Sequence, residues 1–391
     1  MIDYLGAGTV TGYCTNVHAG ASYAQMRANL QRYALAVKAR ICPAGPMGVG
    51  LWLSRQAVSE LREPKEAGQF ATWLSRHGLL PFTLNGFPYG DFHRPVVKYD
   101  VYRPDWSDVR RLDYTIDLIQ IHAQLLGDLD EGSISTLPLG WGRQMKPEAM
   151  DRAAGHLLEV AEHLAGIEER SGKLIHLDLE PEPGCRLTES SDVVDLFNRY
   201  LLPRGDPEQV RRYLRICHDT CHGAVMFEDQ AAILERYRSA GLAVGKVQLS
   251  SAVHAPFDSL DAAGRDAAWR QLRSFHEPRY LHQTVVRTQD GGSRFYDDLP
   301  VALAAEVGLI GANAWRVHFH VPLFLEQFGR LQTTQNQVRY LLDQVRQGRL
   351  DVHHLEAETY AWDVLPDELR TGDLSASIAR ELQWLGAHQR T

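Results

Sequence analysis

Short strand-like runs alternate with longer helical stretches along nearly the whole chain, at least eight times. No other feature constrains the fold as tightly, because a helical crossover returns the chain to the same end of a sheet and makes neighbouring strands parallel. Strands are expected over Gly12–His18, Val49–Ser54, Pro81–Phe87, Gly132–Leu137, Leu174–Leu179, Tyr213–Cys217 and Lys246–Ser250, with helices at 22–41, 54–77, 107–128, 147–171, 190–202 and 230–240 between them. The alternation then breaks. Residues 252–311 read as an insertion holding a helix at 258–275, a strand-like YLHQTVVR, a turn at Asp290–Gly292 and a short helix. Two strand-like runs remain, Ala314–Pro322 and Asp351–Trp362, with a helix at 325–347 between them. The second is expected to close the sheet and 366–391 to form a terminal helix. The expected fold is therefore α/β: a (β/α)8 TIM barrel in one domain over 1–391, with an insertion between strands seven and eight. A length of 391 residues suits such a barrel.

A composition of 44% hydrophobic and 23% charged residues fits a folded chain. No apolar run nears the roughly 20 residues of a membrane helix. MIDYLGAGTV has neither a basic head nor a long apolar segment, so no secretory signal is expected and the cytoplasm is the expected location. Five scattered cysteines read as reduced thiols. The formal charge of −8 repels a phosphate backbone, so nucleic acid is not an expected partner.

The chemistry centres on Arg215–Glu228, RICHDTCHGAVMFE, where a strand end delivers His218, Asp219, Cys221 and His222 within five residues. In a parallel barrel such ends face one shared mouth. Side chains two apart share a face of a strand, which groups His176 with Asp178 and Glu180, His354 with Glu356, Glu358 and Tyr360, and Arg316 with His318 and His320. An acid on the inner face needs a partner, a metal or a proton. Glu180, Asp219, Gln248 and Glu358 each end a different strand, and this quartet is expected to bind a divalent ion, Mn²⁺, Mg²⁺, Co²⁺ or Zn²⁺. The competing reading is a buried ion-pair network with Arg215 or Arg316. His222 and His320 are further candidate ligands, while His222, His254, His318, Arg316 and Trp141 are candidate substrate contacts. Glu182 and Glu356 compete with their neighbours, since parity does not separate residues two apart. Tyr89, His93 and Trp141 lie in loops at strand ends and are candidates to stack on a sugar ring, and Cys217 and Cys221 read as packing residues. There is no Gly-rich phosphate loop, GxSxG elbow or HExxH helix.

DTCHG after strand six, the acid of LDLE, Gln248 in VQLS and Glu358 in AETY resemble the xylose-isomerase-like barrel superfamily, which holds sugar isomerases, sugar epimerases and the endonuclease IV type of zinc phosphodiesterase. The resemblance implies Glu, Asp, His and Glu from strands five to eight around a divalent ion. Glu180 and Asp219 match the first two positions, and Gln248 stands where the His would be. DTCH and the His-x-His of RVHFHVP also look like endonuclease IV positions, with His18 and His93 the only early-strand histidines to join them. The stretches YCTNVHAG, TLNGFPYGDFH, GSISTLPLGW, DTCHGAVMFED, RVHFHVP and E-T-Y-x-W-D-V-L-P further resemble the EboE family, the "metabolite traffic" proteins of bacterial ebo clusters. That implies work on a small metabolite of secondary metabolism beside other ebo-cluster proteins.

The expected activity is thus a metal-dependent isomerase or epimerase acting on a sugar, cyclitol or related polyol, with Glu180 and Glu358 exchanging the proton. The alternatives are a zinc phosphoesterase built on Asp219, His222, His318 and His320, and a non-catalytic metabolite-binding protein.

Overall fold

The computed structural model describes residues 8–305, 312–370 and 372–390. The start of MIDYLGAGTV, the end of the expected insertion at 306–311 and the final Thr391 lie outside the described residues. The strands, in chain order, are β1 Val10–Cys14, β2 Met47–Trp52, β3 Leu79–Asn85, β4 Glu131–Thr136, β5 Leu174–Leu179, β6 Leu214–Asp219, β7 Val244–Leu249, β8 Val253–Ala255, β9 Thr284–Thr288, β10 Ser293–Tyr296, β11 Ala312–Val317, β12 Gln327–Phe328, β13 Leu331–Thr333 and β14 His354–Ala357. Eight of them, in the order β1-β14-β7-β6-β5-β4-β3-β2, close into a parallel barrel. This is the expected (β/α)8 architecture.

Apolar residues of the strands face the surrounding helices and are almost wholly buried, as with Val49, Leu51, Ile134, Leu177, Leu179, Val247 and Leu355. The alternate positions fill the barrel with polar groups that pair with one another, as burial demands. Low in the barrel His176 Nδ1 lies 2.6 Å from Asp178 Oδ1 and His354 Nδ1 lies 2.8 Å from Ser133 Oγ. Above them Lys246 Nζ meets Glu356 Oε2 at 2.6 Å. Glycine at position 50 makes room for that acid, since a Cβ there would sit 1.4 Å from Glu356 Oε1.

The helix Pro147–Ser171 has Pro at its first turn and ends where Gly172 takes a left-handed φ of 69°, so the chain stops there and turns into β5. Other boundaries shift. β1 stops at Cys14, and Thr15–Val17 form a 3₁₀ turn instead of more strand. β14 has four residues, so most of the expected Asp351–Trp362 run is loop. The helix before β4 is Val109–Leu125, capped by Asp108 instead of Ser107.

The largest difference lies after β7. Here β10-β9-β11-β8-β13-β12 form a second sheet, and its pairings are antiparallel. The run Ala314–Pro322 enters it as β11, so the inserted sheet extends to Thr333, beyond the expected limit of 311. The following helix is correspondingly shorter, Gln335–Arg346. Among the described residues no helix is long and apolar enough to cross a membrane.

Candidate metal centre at the barrel mouth

Glu180 follows β5, Asp219 ends β6, Gln248 lies in β7 and Glu358 follows β14, so the four expected residues meet at the carboxyl-terminal mouth, all buried. Asp219 also caps the short helix Thr220–Val225. Its Oδ1 accepts from the backbone N–H groups of Cys221 (2.7 Å) and His222 (3.1 Å) and from Ser250 Oγ (2.5 Å). Its Oδ2 is buried without a hydrogen-bond partner, 3.8 Å from His222 Nε2 and 4.0 Å from His320 Nε2. Burial works against the Asp219 charge, but His222, His320 and the Ser250 hydroxyl outweigh it and hold the carboxyl below its usual range.

Three imidazoles close over this carboxylate. His222 Nδ1 donates to the Pro181 carbonyl (2.8 Å), His320 Nδ1 to the Glu358 carbonyl (2.7 Å) and His318 Nδ1 to Gln283 Oε1 (2.8 Å). The Gln283 amide is oriented by its other end, where Nε2 donates to Glu182 Oε1 (2.8 Å) and the Pro183 carbonyl (3.3 Å). Each ring therefore carries its proton on Nδ1 and turns an Nε2 lone pair inward. His318 Nε2 and His320 Nε2 stand 3.2 Å apart. Burial pushes His320 down to about 4 and His318 well below its ordinary value, so both rings are neutral.

Glu358 sits opposite, clamped by amides. Its Oε1 accepts from Asn16 Nδ2 (2.7 Å) and Asn85 Nδ2 (3.2 Å), and its Oε2 accepts from Gln248 Nε2. Burial, then the charges of Asp219 and Glu356, push its pKa up to about 8. Glu180, with Oε2 unpartnered, is raised well above its ordinary value by burial and by Glu358 and Asp219. Over the acids lies a small cavity whose wall includes Phe87, Phe92, Val97, Tyr102, Tyr280 and Tyr360.

Not every expected residue reaches this mouth. β11 ends at Val317, and Phe319 N donates back to the Val317 carbonyl (2.8 Å), a tight turn that breaks the strand's parity. His318 and His320 consequently face the mouth, while Arg316 points to the Ala224 carbonyl (2.6 Å) and the Phe227 ring. His254 is paired with Arg316 in the register of β8 and β11, and both line a separate groove with Glu326, Gln332 and Arg339. Neither is placed to contact a substrate at the barrel mouth. Trp141 packs edge-on against Tyr99 and tilted against Tyr102, outside the cavity lining. Tyr89 packs on Tyr114, and His18 stacks on Tyr33. His93 Nε2 bonds the Asn16 carbonyl at 2.6 Å.

Of the competing acids, Glu356 pairs with Lys246 below the mouth, while Glu182 accepts from Tyr102 Oη (2.7 Å) and lines the cavity. Cys217 packs in β6 and its thiol donates to Gln248 Oε1 (2.6 Å). Cys221 is buried beside His318 and His320. The amides of Asn16, Asn85 and Gln283 are site residues that the sequence reading missed. Asn16 and Asn85 each stand at a strand end, which is the one local signal they offer.

The donors fit a divalent cation. One ligand atom each from Asp219, His222 and His320 lies within a 4.8 Å span, as does one each from Glu180, Asp219 and Glu358. Two buried carboxylate oxygens, Asp219 Oδ2 and Glu180 Oε2, have no other partner.

No family model and no curated protein matches the chain. Solved structures do. A xylose isomerase-like TIM barrel protein from Mycobacterium smegmatis in complex with magnesium is 11% identical, with 100% of this chain and 99% of that one covered and a TM-score of 0.52. The probable 3-DHS dehydratase AsbF of Bacillus anthracis, involved in petrobactin synthesis, is 11% identical over 96% of this chain and 98% of its own, with a TM-score of 0.47. A D-allulose 3-epimerase from Methylomonas sp. in complex with D-allulose is 12% identical over 70% and 82%, with a TM-score of 0.39. Together with its closed barrel, the first of these similarities shows that the chain has the (β/α)8 barrel fold.

Proposed function

We propose that the protein is a divalent-metal-dependent isomerase or epimerase acting on a sugar, cyclitol or related small polyol. The observation that carries this reading is the meeting of Glu180, Asp219 and Glu358, from three separate strand ends, around one point beneath a cavity at the barrel mouth. Candidate ligands are those acids with His222, His320 and Gln248. Once bound, the ion supplies positive charge to substrate oxygens. Glu358, pushed up to about 8, and Glu180, also raised, are carboxyls able to remove and return a proton near neutral pH. The aromatic wall excludes water and packs against the carbon face of the substrate. Following the EboE resemblance, the substrate belongs to a secondary-metabolite pathway in the cytoplasm, with other ebo-cluster proteins as partners.

The test is a panel of sugars and cyclitols incubated with protein stripped of metal and reloaded with Mn²⁺, Co²⁺ or Zn²⁺. Metal-dependent interconversion supports the reading; no turnover of any polyol with any ion removes it. The second reading, a zinc phosphoesterase, is favoured by the three inward-facing imidazoles. More than one tightly held zinc per chain, with phosphodiester cleavage, would select it.

A further inference from the structure

We infer that residues 90–101 form a lid over the acids, latched shut by the ion pair of Lys98 and Asp298, and that a substrate enters when this latch opens, given the reading above that a small molecule is processed at this mouth.

The closed mouth is too small for such a molecule. Glu180, Asp219 and Glu358 are each at most 5% exposed, and the cavity above them measures about 70 Å³. Sites that enclose whole small molecules offer roughly 300 Å³ or more, so part of the wall has to move. The strand ends that carry the acids are fixed by the closed barrel. The loop between β3 and the helix Val109–Leu125 is not, and it supplies Pro88, Phe92, Val97, Val101 and Tyr102 to the wall.

The legs of this loop are pinned. Arg111, fully buried, donates from Nη1 to the Gly86 (2.9 Å) and Phe87 (3.1 Å) carbonyls on one leg and from Nε to the Pro104 carbonyl (3.0 Å) on the other. Arg55 N donates to the Tyr89 carbonyl (2.8 Å), and Tyr102 is held by Glu182. Between these pins Phe92 and Val97 are buried, while Asp91, Arg94 and Asp100 stay in water. The bonds that cross the mouth run to the chain flanking β9 and β10. Val97 N and Lys98 N donate to the Arg279 carbonyl (2.8 and 3.0 Å), Tyr99 Oη donates to Asp297 Oδ2 (3.1 Å) and Lys98 Nζ donates to Asp298 Oδ2 (2.5 Å).

The lysine bond is the strongest of these, because both partners are charged and mostly shielded from water. Its acceptor is preset, since Asp298 Oδ1 takes the N–H groups of His282 (3.1 Å) and Leu299 (3.0 Å) and stays in place when the lysine leaves. Lys98 holds a φ of 43°, sparsely populated for a residue with a Cβ, so the closed tip is kept by its bonds and not by local preference. Beneath the tip, Phe92 packs on Tyr280 and Tyr360, with ring centroids 4.9 and 5.5 Å away. His93 Nε2 donates to the carbonyl of Asn16, whose amide holds Glu358. A closed lid therefore also braces the acid that faces the cavity.

Hydrogen–deuterium exchange of the full chain, read by mass spectrometry, tests the lid without metal or substrate. In Lys98→Met, and in Asp298→Asn, which keeps an oxygen for His282 and Leu299, exchange over 90–101 should be at least about 10-fold faster than in wild type, as loss of a charged hydrogen bond that controls local opening implies. Peptides from β5, β6 and β7 should keep their wild-type rates, and the double variant should be no faster than the single ones, since both lose the same bond. Wild-type rates over 90–101 in both variants overturn the latch. Equal acceleration in the barrel strands overturns it too, because the whole chain and not a lid has then loosened. The proposed activity fails separately: faster exchange with no polyol turned over removes the activity and leaves the lid, whereas turnover with unchanged exchange removes the lid and leaves the activity.

Discussion

Arg316 Nη1 donates to the Ala224 carbonyl at 2.6 Å, while its guanidinium lies 4.2 Å from the centre of the Phe227 ring. Phe227 follows the helix that carries His222 and holds a left-handed φ of 58°. Arg287 of β9 lies over the same ring at 4.5 Å. The inserted sheet thus grips the end of the helix bearing one imidazole while its own chain presents the other two. Arg316 is a positioning residue. Arg316→Met should keep the fold but weaken zinc affinity by about 10-fold, in the range found for groups supporting metal ligands. Competition with a chelating dye measures it, and unchanged affinity would sink the idea.

Glu358 is clamped by Asn16, Asn85 and Gln248 in the orientation that faces the cavity. Glu358→Gln keeps the shape and removes the titrating proton. Turnover on whichever polyol is processed should fall by about 100-fold or more, while the melting temperature moves by only a few degrees. Full turnover in the variant would strip Glu358 of its role.

The barrel was legible because parallel strands buried on both faces read as short apolar runs, and eight such runs separated by helical stretches admit few folds. Glu180, Asp219 and Glu358 were legible for the same reason, each standing at the end of a run. The inserted sheet was harder. Its strands β8, β12 and β13 have two or three residues each and no periodicity to read. The parity argument grouped Arg316 with His318 and His320, and it failed at the turn after Val317. His254 left the mouth with Arg316 because the two are register partners. Asn16 reaches Glu358 across 342 residues of sequence, a contact to which no local pattern points.

Lys246 and Glu356 are both fully buried, 2.6 Å apart beneath the mouth. Burial favours the neutral amine, yet the charge of Glu356 outweighs it and holds Lys246 above its ordinary pKa. Lys246→Met leaves the acid without its cation and should cost about 3–5 kcal/mol of stability, measured by urea unfolding. Adding Glu356→Gln should recover most of that loss, since the second change removes the stranded charge. If the double variant is no more stable than the single one, the pair is not the source of the cost.

Glu381, on the terminal helix Leu374–Arg390, accepts from Leu323 N (3.0 Å) and Thr359 Oγ1 (2.7 Å) and is fully buried. Burial pushes its pKa up to about 7 despite those donors. A carboxyl raised above its unfolded value of roughly 4.3 favours the folded state while it stays neutral. That contribution is fully present below about pH 4 and is lost as pH rises to about 7, on the order of 3 kcal/mol in all. The melting temperature of metal-free protein should therefore fall between pH 5 and pH 8. Glu180 and Glu358 are raised as well and add to that slope, so the informative quantity is the difference between variants. Glu381→Gln cannot ionise, and its melting temperature should fall less steeply over the same range. Parallel curves for the two proteins would mean that Glu381 is already ionised at the lower pH.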